Sequence, residues 1–254
     1  LYSPGSDFIA VHNTLIMDAI LSKPEALAGK CYLYETLERS LYESLMPTYS
    51  ESYDALGDQE TFVLKYTWEL SAYFAFFVFP MINDLATDRR FVVSFLSKFS
   101  RLGKANQNLQ RFISDYYQWK KTVHTGNTEP LFHDFARIDT LRNAESTFYE
   151  VGLDPDEAKQ ILNKQLTNLL EFAHYIVTYV SSIVLDDPDI LTNRLFIEQI
   201  DLKRLKFDPE DMRRRALASD VTTEPYVWSF DPFVMEQFRP TLETTATEAE
   251  VAEA

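Results

Sequence analysis

Between its prolines this chain repeats apolar residues every three or four positions, a spacing that gathers them on one face of an α-helix. From Cys31 to Met46 the stripe is Leu33, Leu37, Leu41 and Leu45, with a stop expected near Pro47. A first helix is expected to run to about Ser22 and end at Lys23-Pro24, because the residue before a proline is pushed out of the α region. A polar passage to Lys30 then reads as a crossing between two regions. Gln59 to Phe79 is apolar on nearly all sides, which belongs at the centre of a bundle, with Pro80 as its end or kink. Arg90 to Leu102 and Ala105 to Val123 read as two helices broken at Gly103, and His124 to Asn143 as a loop with short helical turns. Asp154-Pro155-Asp156-Glu157 has a capping acid, a proline at the first position and two acids in the first turn, and Leu162, Leu166, Leu169, Ala173, Ile176, Val180 and Val184 follow on one stripe. That helix should end before Asp186-Asp187-Pro188, and Met212 to Leu217 is a short basic helical piece. Only 6 glycines in 254 residues speak against a glycine-rich β design, so the fold class is mainly α.

Charge narrows the function classes. A formal net charge of -15 repels phosphate backbones and anionic surfaces, so no nucleic-acid partner is expected. The most apolar stretch, Thr61 to Ile82, contains Lys65 and Glu69, which makes it a buried helix and not a membrane span. The lone cysteine, Cys31, excludes an internal disulfide, speaks against a thiolate metal cluster, and reads as a small packing residue. No signal peptide is visible, and the expected location is cytoplasmic. Thr241 to Ala254 is mostly Thr, Ala and Glu without aromatics, too little apolar surface to order itself.

The opening residues, Leu1-Tyr2-Ser3-Pro4-Gly5-Ser6-Asp7-Phe8-Ile9-Ala10, run a loop straight into a helix. Ser3 can cap it, Pro4 suits its first position, and the amides of Gly5, Ser6 and Asp7 face forward at the positive end of the helix dipole. This stretch resembles the second half of the Gly-Asp...Asp-Pro motif and following helix start of FAD-dependent monooxygenases of the para-hydroxybenzoate hydroxylase type and of flavin-dependent tryptophan halogenases. The resemblance covers about twenty residues. It implies FAD as cofactor, with Ser3, Pro4, Gly5, Ser6 and Asp7 against the pyrimidine edge of the flavin, and a flavin reductase as a possible partner. No GxGxxG stands anywhere in the chain to hold the ADP half. The resemblance therefore implies the C-terminal part of a longer two-part flavoprotein: residues 1–22 as the last helix of the FAD domain, 23–235 as a helical substrate-cavity domain, and 236–254 as a disordered acidic tail. In the halogenases the loop resembles Ser-Thr-Gly and holds chloride on backbone amides. Pro4 stands at the threonine position and removes one of them, which favours oxygen insertion over halogenation.

On this reading the chain belongs to an FAD-dependent oxidoreductase acting on an apolar or aromatic small molecule. The alternative is a non-enzymatic all-helical binding module. Trp68, Phe74 and Phe77, with Tyr73 beside them, are candidates for the wall of a substrate cavity, and His133, with His124 and Asp134, for a polar part of it. The catalytic residues would lie outside this chain. Glu171 and His174 have the Glu-x-x-His spacing of a di-iron ligand pair, but no second such motif exists, so no metal is expected.

Overall fold

The computed structural model describes residues 4–123, 131–219 and 224–239, and every regular element among them is helical. The described residues form nine α-helices in order: α1 (Pro4–Ile20), α2 (Pro24–Ser50), α3 (Gln59–Tyr73), α4 (Phe79–Ile82), α5 (Arg89–Val123), α6 (Asp139–Ser146), α7 (Pro155–Val184), α8 (Arg194–Glu198) and α9 (Pro209–Ala218). Long α5 packs along α2 on one side and α7 on the other, and α3 lies against α5, α6 and α7. One continuous apolar core joins them, from Val11 and Leu15 of α1 to Phe238. Among the described residues no helix is long and apolar enough to cross a membrane.

Caps set the helix starts. Asp154 accepts from the amides of Asp156 and Glu157 while the Glu157 carboxylate takes the Asp154 amide, a complete capping box for α7. Asp58 caps α3 by accepting from the Thr61 amide, and Asp208 caps α9 by accepting from the amides of Glu210 and Asp211. At the far end of α7, Asp186 takes a left-handed conformation (φ 51°) and the Asp187 amide reaches back to the Ser182 carbonyl. Asp154 and the Asp186-Asp187 pair bound α7 where the sequence places them.

Proline and glycine do not break the chain where expected. Pro24 to Lys30 is not a polar crossing but the first two turns of α2. Pro24 occupies the first position, where an N–H is not needed, and Lys30 anchors on Asp18 of α1 at 2.5 Å. Pro47 does not stop α2, which runs to Ser50, because Thr48 is held by Lys65 and Asn106 from two other helices. Gly103 does not divide α5. It lies mid-helix where α2 crosses closest, and a Cβ there would stand 2.8 Å from Cβ of Ser44. Ahead of Pro80 the α3 ladder widens into a π-helical turn, Phe74–Val78, before restarting as α4. Cys31, expected to pack, is exposed on α2.

The last described stretch is a strap across α7. Tyr175 and Tyr179 donate to the carbonyls of Pro232 (2.8 Å) and Met235 (3.1 Å), and Trp228, Phe230, Met235 and Phe238 are buried beneath it. Glu236 to Arg239, placed by sequence with the acidic tail, belong to this strap. Phe238 is buried, and Arg239 donates to the Ser182 carbonyl at 2.9 Å. Thr241 to Ala254 lie outside the described residues.

Candidate functional site

A cavity of about 240 Å³ opens where α1, α2, α3 and α5 meet. Asp7 and Phe8 of α1 form one side. Ser44, Leu45, Thr48 and Tyr49 come from α2, Tyr66, Glu69, Leu70, Ala72 and Tyr73 from α3, Phe77 from the π-helical turn, and Phe99, Leu102, Gly103 and Asn106 from α5. The helices reach this point for reasons already visible. Gly103 lets α2 and α5 close together, and the wider π-helical turn presents Phe77 inward. Phe8 stands edge-on to Phe77 at 5.8 Å, Tyr73 stacks on Phe77 at 5.5 Å, and the Tyr73 hydroxyl donates to Asp7 at 3.1 Å.

Behind this wall lies a buried polar network spanning α2, α3 and α5. Lys65 is fully buried; it pairs with Glu69 one turn on, donates to the Thr48 carbonyl at 2.8 Å, and reaches Gln110 at 3.1 Å. Gln110 donates to Glu69 (3.0 Å) and Asn106 (3.1 Å) and accepts from Ser52. The Asn106 carbonyl also takes the Trp68 indole N–H at 2.7 Å, while its amide donates to the Ser44 carbonyl at 2.9 Å. Burial pushes the Lys65 pKa down, and the adjacent Glu69 opposes it. Such a network fixes geometry because each member left unpaired would be costly. It holds Glu69 and Asn106 at the cavity with their orientation set.

Two of the three tyrosines of the wall, Tyr49 and Tyr73, have their pKa raised. Burial, then the carboxylates of Glu69 and Asp7, push Tyr49 up to about 12, and burial followed by Asp7 does the same for Tyr73. Among the described residues the lining contains no lysine, arginine or histidine.

The residues singled out from sequence divide clearly. Asp7 and Phe77 meet in the cavity. Gly5 and Ser6 stand exposed on the first turn of α1 beside it, Pro4 opens that helix, and Ser3 lies outside the described residues. Among the described residues a Cβ on Gly5 would meet nothing within 4 Å. Trp68 is fully buried behind the wall on Asn106, and Phe74 packs on Tyr73 without lining the cavity. His133 sits two rings away, against Phe135 (4.7 Å) and Phe238 (4.9 Å), where Phe135 in turn meets Tyr66. Burial lowers the His133 pKa. His124 lies outside the described residues. Glu171 accepts from the Ser229 amide at 2.9 Å and its hydroxyl, and His174 bonds the Leu170 carbonyl, so neither faces a shared ligand. Sequence reasoning missed Tyr49, Tyr66, Glu69 and Asn106 as lining residues. The available signal was Lys65 and Glu69, one turn apart inside an otherwise apolar segment.

Comparison with protein-family models, curated proteins and solved structures finds no match to this chain.

Proposed function

We propose that this chain is the helical C-terminal portion of a cytoplasmic FAD-dependent oxidoreductase, monooxygenase or halogenase-like, and that the cavity between α1, α2, α3 and α5 receives its apolar or aromatic substrate. The observation that carries the reading is the position of α1. Its first turn is the segment that resembles a flavin-edge loop, and the same turn supplies Asp7 and Phe8 to the aromatic cavity. A flavin ring laid against the open amides of Gly5 to Asp7 would stand at the cavity's edge. The flavin supplies the redox chemistry when bound, and this chain's part is to orient the substrate and exclude water. Phe8, Tyr73 and Phe77 offer flat faces for that purpose.

Among the described residues nothing stands within 4 Å of a Cβ built on Gly5, and the backbone amides of its turn precede any intrahelical partner, which leaves room for a flat ring. The outer face of α1 favours a flavoprotein over a self-sufficient binding module. Phe8, Val11, Leu15 and Ala19 turn into the bundle, while Ile9, Met17 and Ile20 stand 60% or more exposed on the opposite side. A helix apolar on both faces suits a place between two bodies.

The test is the flavin content of the natural polypeptide that carries this sequence. The expected result is a yellow protein that releases FAD on denaturation and whose colour is bleached by a reductant or a flavin reductase. A colourless protein with no releasable FAD, and no uptake of added FAD, would return the chain to the alternative of a non-enzymatic binding module.

A further inference from the structure

The cavity's lining carries more information than its apolar character. Among the described residues six aromatic rings and two carboxylates face it, and no basic side chain does. Glu69 is matched by Lys65 behind the wall, but Asp7 forms no ion pair among the described residues and accepts a hydrogen bond from the Tyr73 hydroxyl. Burial and the nearby carboxylates raise the pKa of Tyr49 and Tyr73, which favours the neutral phenol, so these side chains add oxygen lone pairs and ring faces and no positive charge. Aromatic faces are negative at their centres, and a desolvated cation over them is attracted as well as by a carboxylate nearby. A carboxylate ligand would meet the opposite: repulsion from Asp7 and no guanidinium or ammonium to receive it.

We infer that the cavity selects a protonated amine borne on a flat or apolar skeleton, its ammonium beside Asp7 and its ring among Phe8, Tyr73 and Phe77, and that it rejects carboxylic acids and amino acids of the same size. At about 240 Å³ the space exceeds the ~150 Å³ in which an apolar cavity holds benzene, leaving room for one ring and a short amine arm. The inference deepens the proposed function and rests on this cavity being the substrate site.

The experiment is calorimetric titration of the 254-residue chain with 2-phenylethylammonium, 3-phenylpropionate and phenylalanine, which share a ring and arm and differ in charge. The expected result is saturable binding of the ammonium, roughly tenfold tighter than either other probe. Asp7→Asn should lower the ammonium affinity about fivefold or more and leave the phenylpropionate affinity little changed. Asp7→Lys should reverse the preference, with melting curves confirming that both variants fold. Equal or tighter binding of phenylpropionate by the unaltered chain overturns the inference, as does absence of ammonium binding at millimolar concentration or an unchanged preference in Asp7→Asn. Because no flavin is needed, the two readings fail separately. A flavin-holding protein that prefers the anion sinks the amine assignment alone, and a flavin-free one that selects the ammonium sinks the flavoprotein reading alone.

Discussion

Lys65 shows how much one buried charge organises. Its ammonium holds together the end of α2 through the Thr48 carbonyl, α3 through Glu69 and α5 through Gln110. Lys65→Ala would leave the Glu69 carboxylate in the interior without its cation, and breaking a buried pair in this way costs roughly 3–5 kcal/mol. Replacing both members, Lys65→Met with Glu69→Leu, should recover most of that, since Gln110 keeps Ser52 and Asn106. Denaturant unfolding of the two single variants and the double, assembled as a cycle, checks this. A single-variant loss under about 1 kcal/mol would mean that the pair is solvated. Both charges are plain in the sequence, where they argue against a membrane span. Their partners are not, since Gln110 lies 45 residues from Lys65 in the chain.

Among elements, α1 is attached to α2 by more than apolar contact. Asp18 accepts from Lys30 at 2.5 Å and from the Tyr34 hydroxyl across the short turn between the helices. Burial pulls the Asp18 pKa up, but the bonds from Lys30 and Tyr34 outweigh it and hold the carboxyl below its usual range. A carboxyl depressed by folding stabilises the fold above its unfolded pKa of about 3.9, and that contribution disappears as pH falls through the lower folded value. Asp18→Asn should therefore lower the melting temperature at neutral pH, and the gap between variant and parent should narrow as pH falls below about 3.9. Hydrogen exchange on α1 amides locates the effect. A gap that widens in acid would reverse the sign and exclude this clamp. This pair is the reason the passage to Lys30 is helical: Pro24 permits a helix start, and Lys30 and Tyr34, a turn apart, give it something to hold.

For the whole molecule, closure of the far side depends on the strap after α9. Trp228, Phe230, Met235 and Phe238 are buried under it, and at about 1.5–3 kcal/mol each their burial is of the order of a domain's entire stability of ~5–15 kcal/mol. A chain ending before Tyr226 should lose cooperative thermal unfolding and bind a hydrophobic dye strongly. Retention of a sharp transition with a loss under about 3 kcal/mol would show that α7 tolerates solvent on that face. The strap was not legible in the sequence, because what seats it is long-range: the Tyr175 and Tyr179 hydroxyls of α7 donate to its carbonyls, and the Tyr226 amide donates to the Thr192 carbonyl.

By itself the sequence determined the helical class and the limits of α7, and it marked the start of α1 as a candidate binding segment. Those properties are local, since caps, prolines and a 3.6-residue period act within a turn or two of the residues that carry them. It also supplied Asp7 and Phe77 as site candidates, from one helix start and one aromatic run. Tertiary structure alone decided that Gly103 joins two helices instead of ending one, that Trp68 and Phe74 stand outside the cavity while Tyr49, Tyr66 and Glu69 line it, and that His133 belongs with the strap. Each depends on which helix crosses at that point, and Ser44 opposite Gly103 or Asn106 opposite Trp68 are facing pairs made by packing across long stretches of chain, which no periodicity within a single helix encodes.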